Sequence, residues 1–255
     1  MTKKTVHFVG AGPGDPELIT VKGKRLLTEA DVVIYAGSLV NPALLEVTAP
    51  GCEIYNSASM TLDEVIAVMN EAVNAGKKVV RLHTGDPSIY GAIQEQIDRL
   101  NSLGIAWSVV PGVSSFLAAA ASLGQEYTLP GVSQTVIITR MEGRTPVPER
   151  EKIRSLAGHK STMCIFLSVH MFDELVRELT AGGYSPDTPV AVVEKASWPE
   201  ERTFRGTLST IAAQLEAAGV SRTAMVIVGD VLSQEYEESR LYAPEFGHMF
   251  REAKS

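Results

Sequence analysis

Three glycine-bearing segments follow short apolar runs and carry groups that could hold a small ligand. They are residues 9–16 (VGAGPGDP), 84–91 (TGDPSIYG) and 110–115 (VPGVSS). Glycine lets a ligand or another backbone approach closely, while serine, threonine and aspartate supply hydrogen-bonding groups. Ligands of a parallel sheet bind beyond the carboxyl ends of its strands, so three such segments after successive strands predict one ligand site.

The first segment lacks the glycine spacing of a dinucleotide-binding loop. A G-x-G-x-x-G pattern that begins at Gly10 requires glycine at position 15, where the sequence has Asp15. Pro13 also removes a backbone N–H from the loop, and the Asp15 carboxylate would repel a pyrophosphate. The loop suits a close approach by an uncharged or cationic group, although a tight strand-to-helix turn explains its glycines equally well.

Helix capping is the alternative role of the polar residues in the other two segments. Asp86 followed by Pro87 is typical of a helix start, with aspartate as the cap and proline at the first helical position. Ser114 or Ser115 could likewise cap the alanine-rich helix that follows. The prediction of a ligand site therefore depends on the three segments occurring together.

The other residues of catalytic type form no recognised constellation. No two of the 5 histidines have the spacing of a metal site, and there is neither a G-x-S-x-G motif nor a P-loop lysine. Cys52 and Cys164 cannot form a disulfide framework, and we interpret both as small buried hydrophobes. We interpret one basic run as a solvated loop and helix face, except for its first residue: Arg140, Arg144, Arg150, Lys152 and Arg154.

Short β-branched runs alternate with helical patterns in the first half of the chain. Thr61 and Glu64 have the spacing of a capping box before the second helix. The alternation predicts right-handed βαβ units and a parallel sheet, whose strands are mostly buried on both faces. The expected strands are 5–9, 31–35, 52–55, 78–82 and 106–110, and the expected helices are 21–28, 62–75 and 89–103.

A second set of strands and helices follows a polar, turn-rich stretch at residues 125–133. We expect two α/β domains, an N-terminal one at 1–125 that carries the glycine-rich loops and a C-terminal one at 126–255. From Gln234 onward the chain is expected to be an irregular, charged tail. The expected strands of the second domain are 134–139, 162–168, 190–194, 202–205 and 224–228, with helices at 149–156, 171–181 and 208–218.

Composition places the chain among ordinary globular proteins. Its 255 residues are 45% hydrophobic and 21% charged, and 23 basic against 30 acidic side chains give a net charge of −7. An acidic surface disfavours nucleic acid as a partner, because phosphate neutralisation requires a basic face. The start has no signal-peptide pattern and no apolar run is long enough for a membrane span, so we expect a cytoplasmic protein without membrane contact.

The glycine-bearing segments, taken with two later motifs, resemble the tetrapyrrole (corrin/porphyrin) methylases. The later motifs are residues 189–194 (PVAVVE) and 226–230 (VIVGD), so the resemblance covers nearly the whole chain. It implies two α/β domains with S-adenosyl-L-methionine in the cleft between them, a homodimer, and a fold other than the Rossmann-type methyltransferase fold. It also implies a set of cofactor-binding residues: Pro13, Thr84, Gly85, Asp86, Ile89, Ser114, Ser115, Leu167, Ala196, Thr223 and Ala224.

Within this family, residues 35–42 and 59–62 resemble the branch that methylates C11 of precorrin-4 or cobalt-precorrin-4 in cobalamin biosynthesis. Relatives that methylate uroporphyrinogen carry an Asp and a Lys where this chain has residues 36–37 and 56–57, which argues against that substrate. The resemblance also supplies no catalytic acid or base. The alternatives are another ring position (C17 or C20), a diphthine- or rRNA-type methyltransferase, and a non-catalytic nucleotide-binding regulator of the same fold.

A tetrapyrrole substrate would bring many carboxylates. Arg81, Arg140 and Lys195 lie near the carboxyl ends of expected strands, so they are candidate substrate contacts, with surface ion pairs as the alternative. The acidic excess is then expected on the outer helices, with arginine and lysine gathered at the cleft.

Overall fold

The computed structural model describes residues 5–233 and 236–253, in which the strands form two five-stranded sheets. The first sheet has the strand order β3-β2-β4-β1-β5, and every neighbouring pair is parallel. This confirms the parallel sheet predicted from the alternating pattern. Its strands are β1 (Thr5–Gly10), β2 (Val32–Tyr35), β3 (Glu53–Asn56), β4 (Val79–His83) and β5 (Ala106–Val110).

The helices of the first half are α1 (Val21–Thr28), α2 (Leu62–Asn74), α3 (Gln94–Ser102) and α4 (Ser115–Leu123). The capping box before α2 is confirmed, since the Thr61 hydroxyl accepts from the Glu64 N–H and the Glu64 carboxylate accepts from the Thr61 N–H. The expected start of α3 at residue 89 is wrong. The chain forms a turn after Asp86, and Tyr90 (φ 55°) and Ala92 (φ 49°) adopt left-handed conformations that interrupt a helix.

Alternate residues of the first sheet supply two cores on its opposite faces. Phe8 and Ile34 pack with α2 and α3, together with Met69 and Leu100. The residues that alternate with them, such as Val9 and Val33, pack with α1 and with the 3-10 helix Pro42–Val47. The expectation of strands buried on both faces fails for β3, where Ile54 is 44% exposed, because β3 is at the edge of the sheet.

The second sheet is mixed rather than parallel. Its order is β6-β7-β10-β8-β9, in which β6 pairs parallel with β7 and every other pair is antiparallel. Helices α5 (Ile153–Ala157), α6 (Phe172–Ala181) and α7 (Ile211–Ala217) contribute to one apolar core against it. The strands are β6 (Val136–Arg140), β7 (Thr162–Phe166), β8 (Pro189–Glu194), β9 (Arg202–Thr207) and β10 (Ala224–Val228).

The chain divides into two compact units, and the α/β fold class is confirmed. One unit extends to Ala119 and also includes Lys195–Glu201, whereas the other comprises Ala120–Glu194 and the chain from Arg202 onward. The first division thus comes after Ala119 rather than after residue 125, and the sequence pattern did not predict the separate contribution of Lys195–Glu201. That segment connects β8 to β9 along the chain.

The two cysteines differ in burial. Cys164 is buried, but Cys52 lies just before the edge strand and is only partly buried. Within the described residues there is no helix able to span a membrane and no cluster of side chains suited to a metal ion. The expected tail begins at Gln234, outside the described residues, and residues 236–253 are mostly irregular and exposed.

Candidate active site

The three glycine-bearing segments meet because they leave three neighbouring strands, β4, β1 and β5. The first two are joined by backbone hydrogen bonds, with the Gly85 N–H donating to the Gly12 carbonyl at 2.8 Å. One residue earlier, the Ala11 N–H donates to the His83 carbonyl at 2.7 Å. The structure therefore brings together the loops that the sequence analysis assigned to one site.

Close packing between these loops accounts for two of their glycines. A Cβ on Gly10 would lie 2.6 Å from the Cα of Gly112 and from the Gly85 carbonyl oxygen. A Cβ on Gly112 would lie 2.1 Å from that same oxygen. Both distances are far below van der Waals contact, so the loops could not meet in this way with alanine at either position.

The Asp86 carboxylate connects the second loop to the third. One oxygen, Oδ1, accepts from the Ser88 N–H at 2.8 Å, and the other, Oδ2, accepts from the Gly112 N–H at 2.9 Å. The first bond caps a turn rather than the helix expected after Pro87. The second crosses between loops, so this side chain shapes the candidate site through backbone N–H groups.

Two polar atoms at the end of β4 are buried and have no hydrogen-bond partner within the described residues: Thr84 Oγ1 and His83 Nε2. Burial and then the nearby Arg81 lower the pKa of His83 to about 3, so its imidazole is neutral at physiological pH. Unsatisfied buried polar groups are costly and concentrate where a ligand or water completes them. The Thr84 hydroxyl is therefore available to a bound group.

The remaining cofactor candidates of the first unit surround these loops. Pro13 and Ser114 are buried, Ile89 lies partly buried in the turn after Asp86, and Ser115 begins α4. Ala196 is also buried and belongs to the segment that joins this unit from β8.

The segment Lys195–Glu201, which we call the strap, packs directly on the first glycine-rich loop. Trp198 Nε1 donates to the Pro13 carbonyl at 2.9 Å, and Ser197 Oγ accepts from the Asp15 N–H at 3.0 Å. A Cβ on Gly14 would lie 2.1 Å from the Trp198 ring, so the indole occupies the space that this glycine leaves. This role of Trp198 was not predicted from the sequence. A tryptophan in a loop two residues after a predicted cofactor residue was the available signal.

The other cofactor candidates lie at one edge of the second sheet. Leu167 follows β7 and Thr223 precedes β10, while Lys195, a candidate substrate contact, follows β8 along the chain. Because β10 is antiparallel to β7 and β8, its amino end meets their carboxyl ends. All three residues have left-handed backbones, with φ of 55°, 53° and 48°, although none is glycine. Backbone strain of this kind is common at ligand-binding sites. The last cofactor candidate, Ala224, is the first residue of β10.

The three candidate substrate contacts have different environments. Arg81 is buried, and its guanidinium donates to the Gln96 side chain and to the Ile34 carbonyl. Burial lowers its pKa to about 10, which leaves it charged at neutral pH without a carboxylate partner within the described residues. The surface ion pair considered as the alternative for Arg81 is therefore wrong, because its side chain is buried and donates to Gln96 and to a backbone carbonyl.

Arg140 and Lys195 lie at the same edge of the second sheet as Leu167. Arg140 donates to the backbone carbonyls of Met141, Thr145 and Pro146 and so orders its own loop. Lys195 lies 3.8 Å from the Glu200 carboxylate, which fits the surface ion pair considered as the alternative. The solvated interpretation of the basic run fits Lys152 and Arg154, which form exposed pairs with Glu149 and Glu178.

These features define an α/β protein with a candidate ligand site, formed by glycine-rich loops at the carboxyl edge of a parallel sheet, that lacks the glycine spacing of dinucleotide-binding loops. The sequence profile of the tetrapyrrole (corrin/porphyrin) methylases matches residues 5–212. The chain belongs to this family.

Two relatives are similar over nearly their whole length. The chain is 61% identical over 251 residues to the cobalt-precorrin-4 C(11)-methyltransferase of Methanocaldococcus jannaschii, which covers 98% of this chain and 97% of the relative. It is 48% identical over 248 residues to the precorrin-4 C(11)-methyltransferase of Pseudomonas aeruginosa, covering 97% and 98%.

Two solved structures of methyltransferases are similar to this chain. The X-ray structure of a cobalt-precorrin-4 methyltransferase, a cobalamin biosynthetic enzyme, superposes with a TM-score of 0.88 at 47% identity, covering 90% of this chain and 96% of the other. Uroporphyrin-III C-methyltransferase from Thermus thermophilus, in complex with S-adenosylhomocysteine, gives 0.74 at 32% identity, covering 89% and 98%.

Proposed function

We propose that this protein is an S-adenosylmethionine-dependent C-methyltransferase that adds a methyl group to C11 of precorrin-4, giving precorrin-5, in cobalamin biosynthesis. The observation that carries the proposal is the 61% identity, over 98% of the chain, to a relative named for this ring position. The arrangement of the glycine-rich loops supports it, because the loops form a ligand site without the features that hold a pyrophosphate.

The candidate residues of each unit supply groups that suit S-adenosylmethionine as cofactor. It carries an ammonium, a carboxylate, ribose hydroxyls and an adenine, which require both donors and acceptors. The unpartnered Thr84 hydroxyl supplies both, and the left-handed backbones at Leu167 and Thr223 lie at the second edge. The proposed contacts are Pro13, Thr84, Gly85, Asp86, Ile89, Ser114, Ser115, Leu167, Ala196, Thr223 and Ala224.

The chemistry requires alignment more than acid–base catalysis. The bound sulfonium supplies an activated methyl group, and the enamine-like ring carbon is already nucleophilic. The loops have to hold the two reactants in line and exclude water, which can contribute several kcal/mol through positioning alone. The Asp86 carboxylate contributes by fixing the Ser88 and Gly112 backbones. The proton that leaves the methylated macrocycle can pass to water.

The substrate is proposed to be the precorrin-4 macrocycle, with its carboxylates contacting Arg140 and Lys195 more readily than Arg81, which is buried. The cobalt complex of the same macrocycle is the second candidate. It is favoured by the name of the relative at 61% identity, whereas the relative at 48% is named for the metal-free form.

The test is incubation with methyl-labelled S-adenosylmethionine and either precorrin-4 or cobalt-precorrin-4, followed by NMR of the product. Label at C11 of either macrocycle supports the proposal, and comparison of kcat/KM decides between the metal-free and cobalt forms. Label at C17 or C20, or transfer only to uroporphyrinogen, modified histidine or RNA, overturns it. Absence of transfer to every acceptor favours a non-catalytic nucleotide-binding regulator.

The proposed enzyme is a cytoplasmic homodimer that acts on a small molecule and requires neither nucleic acid nor a membrane. Analytical ultracentrifugation tests the dimer directly. A single species with the 27.4 kDa mass of the monomer across the working concentration range would contradict it.

A further inference from the structure

The strap is held against the first glycine-rich loop by several independent contacts. Trp198 fills the space above Gly14 and donates to the Pro13 carbonyl, while Ser197 accepts from the Asp15 N–H. From another direction, Asn41 Nδ2 donates to the Gly14 carbonyl at 2.8 Å. The backbone of residues 13–15 is thus positioned by side chains distant in sequence.

The strap has an ordered structure of its own. The Trp198 N–H donates to the Lys195 carbonyl at 2.9 Å, and the Glu201 N–H donates to the Trp198 carbonyl at 3.0 Å. The Glu201 carboxylate accepts from the Ser197 N–H at 2.6 Å. Two of its residues, Lys195 (φ 48°) and Ser197 (φ 68°), adopt left-handed backbones without being glycine. Such backbone strain persists only where many surrounding contacts hold it in place, and it is common next to ligand sites.

We propose that Trp198 is a positioning residue for the methyl-transfer reaction, which seats the Pro13–Asp15 backbone in the conformation that binds the cofactor. This inference rests on the proposed function, because Pro13 and Ala196 are both proposed cofactor contacts. Ala196 and Trp198 lie in the same strap and are separated by one residue. We therefore expect cofactor binding at Ala196 and packing of the indole against Gly14 to be coupled. Coupling of this kind is reciprocal: if the indole favours cofactor binding, the cofactor favours the seated indole.

Two substitutions distinguish the contribution of the packed indole from that of its hydrogen bond. Trp198→Phe keeps an aromatic ring over Gly14 and loses the donor to Pro13, and we expect the Kd of S-adenosylhomocysteine to rise about fivefold. Trp198→Ala loses both, and we expect a rise of about tenfold or more. Isothermal titration calorimetry measures these constants. Trp107→Phe is the matched control, since Trp107 Nε1 also donates one 2.9 Å bond, to Asn101, away from the loops.

Gly14→Ala gives a second test that does not depend on removing a large side chain. In the wild-type background the new methyl must displace the indole, so we expect the cofactor Kd to rise about tenfold. In the Trp198→Ala background the obstacle is gone, and Gly14→Ala should have almost no further effect. Additive effects of the two substitutions would contradict the proposed contact.

Fluorescence supplies a signal that a purely structural tryptophan would not give. The chain has two tryptophans, so Trp107→Phe leaves Trp198 as the sole indole. Its emission should change on titration with S-adenosylhomocysteine, with a midpoint equal to the calorimetric Kd, and its quenching by acrylamide should decrease. In the Trp198→Phe protein, Trp107 emission should not respond.

The outcomes distinguish this inference from the proposed function. If wild-type protein does not bind S-adenosylmethionine or S-adenosylhomocysteine, the proposed function fails. If wild-type protein binds but the Trp198 variants bind equally well, or the Trp198 emission does not respond at saturation, only the positioning role is overturned.

Discussion

At the scale of single residues, the Thr84 hydroxyl is the atom whose environment most directly indicates a ligand. It is buried without a partner in the described part of the chain, so it destabilises the free protein and can be satisfied by a bound group. Thr84→Val removes the hydroxyl and keeps the shape. We expect the free energy of unfolding without ligand to stay equal or rise by about 1 kcal/mol, while the Kd of S-adenosylhomocysteine rises about tenfold.

Chemical denaturation and calorimetry measure the two effects, and Thr84→Ser is the control that keeps the hydroxyl. Undiminished cofactor affinity in Thr84→Val would show that the hydroxyl serves some other group.

Asp86 is expected to matter for binding rather than for proton transfer, because both of its oxygens accept backbone N–H groups. Asp86→Ala leaves the Ser88 and Gly112 N–H groups without their acceptor, and the cofactor Kd should rise about tenfold or more. We expect the pH–rate profile of Asp86→Ala to show the same ionisations as that of the wild type. If an ionisation disappears from the profile of Asp86→Ala, the carboxylate takes part in proton transfer.

His83 makes the stability of the fold depend on pH. Its pKa is about 3 in the folded chain, mainly because of burial, and 6.5 is the ordinary value. Between these values the unfolded chain binds a proton that the folded chain does not, so stability is fully present above pH 6.5 and declines as the pH falls. This contribution amounts to a loss of about 2 kcal/mol at pH 5.

Urea denaturation of wild type and His83→Leu at pH 7 and pH 5 tests this prediction. The difference between the two pH values should be about 2 kcal/mol smaller in the variant. His7, whose pKa is also lowered by burial and by Lys22 and Arg25, is present in both proteins and cancels in the comparison. Equal pH dependence in the two proteins would contradict the assignment to His83.

At the scale of elements, the site depends on three loops that meet with no space for a side chain. Gly112→Ala would place a Cβ 2.1 Å from the Gly85 carbonyl oxygen and 2.8 Å from the Gly10 Cα, and backbone atoms cannot move aside cheaply. We expect the free energy of unfolding to fall by about 3 kcal/mol and cofactor binding to be lost. Gly143→Ala is the matched control, since its Cβ would meet only Met171 at 3.8 Å. Equal stability of the two variants, measured by thermal denaturation, would contradict the described packing.

The elements that the sequence predicted well are those specified by local chemistry. Helix α1 and strands β5 and β10 have the predicted bounds, and α2 begins at its capping box. The prediction failed where tertiary contacts decide. The helix was expected to begin at residue 89, but the left-handed backbones of Tyr90 and Ala92 prevent it, and α3 begins only at Gln94. No local pattern indicates that the strap joins the first unit, because its partner, Gly14, lies 184 positions away from Trp198 in the sequence (198 − 14).

The candidate site shows the same division. The sequence pattern predicted a parallel sheet with one ligand site at the carboxyl ends of its strands, and the three loops meet because β4, β1 and β5 are neighbours in that sheet. The roles of single side chains did not follow. Arg81 has the residue type of a carboxylate contact, yet it is buried beside Gln96, because residue type says nothing about which face of β4 a position occupies.

At the scale of the whole molecule, the net charge of −7 opposes the approach of a carboxylate-rich substrate unless local charge outweighs it. Helix surfaces carry exposed acidic side chains, including Asp63 and Glu64 on α2 and Asp173 and Glu174 on α6. Arg140 and Lys195, by contrast, flank the edge of the second sheet that carries the proposed cofactor contacts. The global charge and the local charge therefore predict opposite responses to salt.

Ionic strength decides which of the two dominates for the proposed substrate. Raising it from about 0.01 M to about 0.15 M shortens the screening length from about 30 Å to about 8 Å. If basic side chains near the site attract the macrocycle, kcat/KM for precorrin-4 should fall over this range. The Kd of S-adenosylhomocysteine, which has no net charge, serves as the control and should change little. A kcat/KM that rises with salt would mean that the acidic surface governs the encounter, and that the substrate is not a polycarboxylate guided by Arg140 and Lys195.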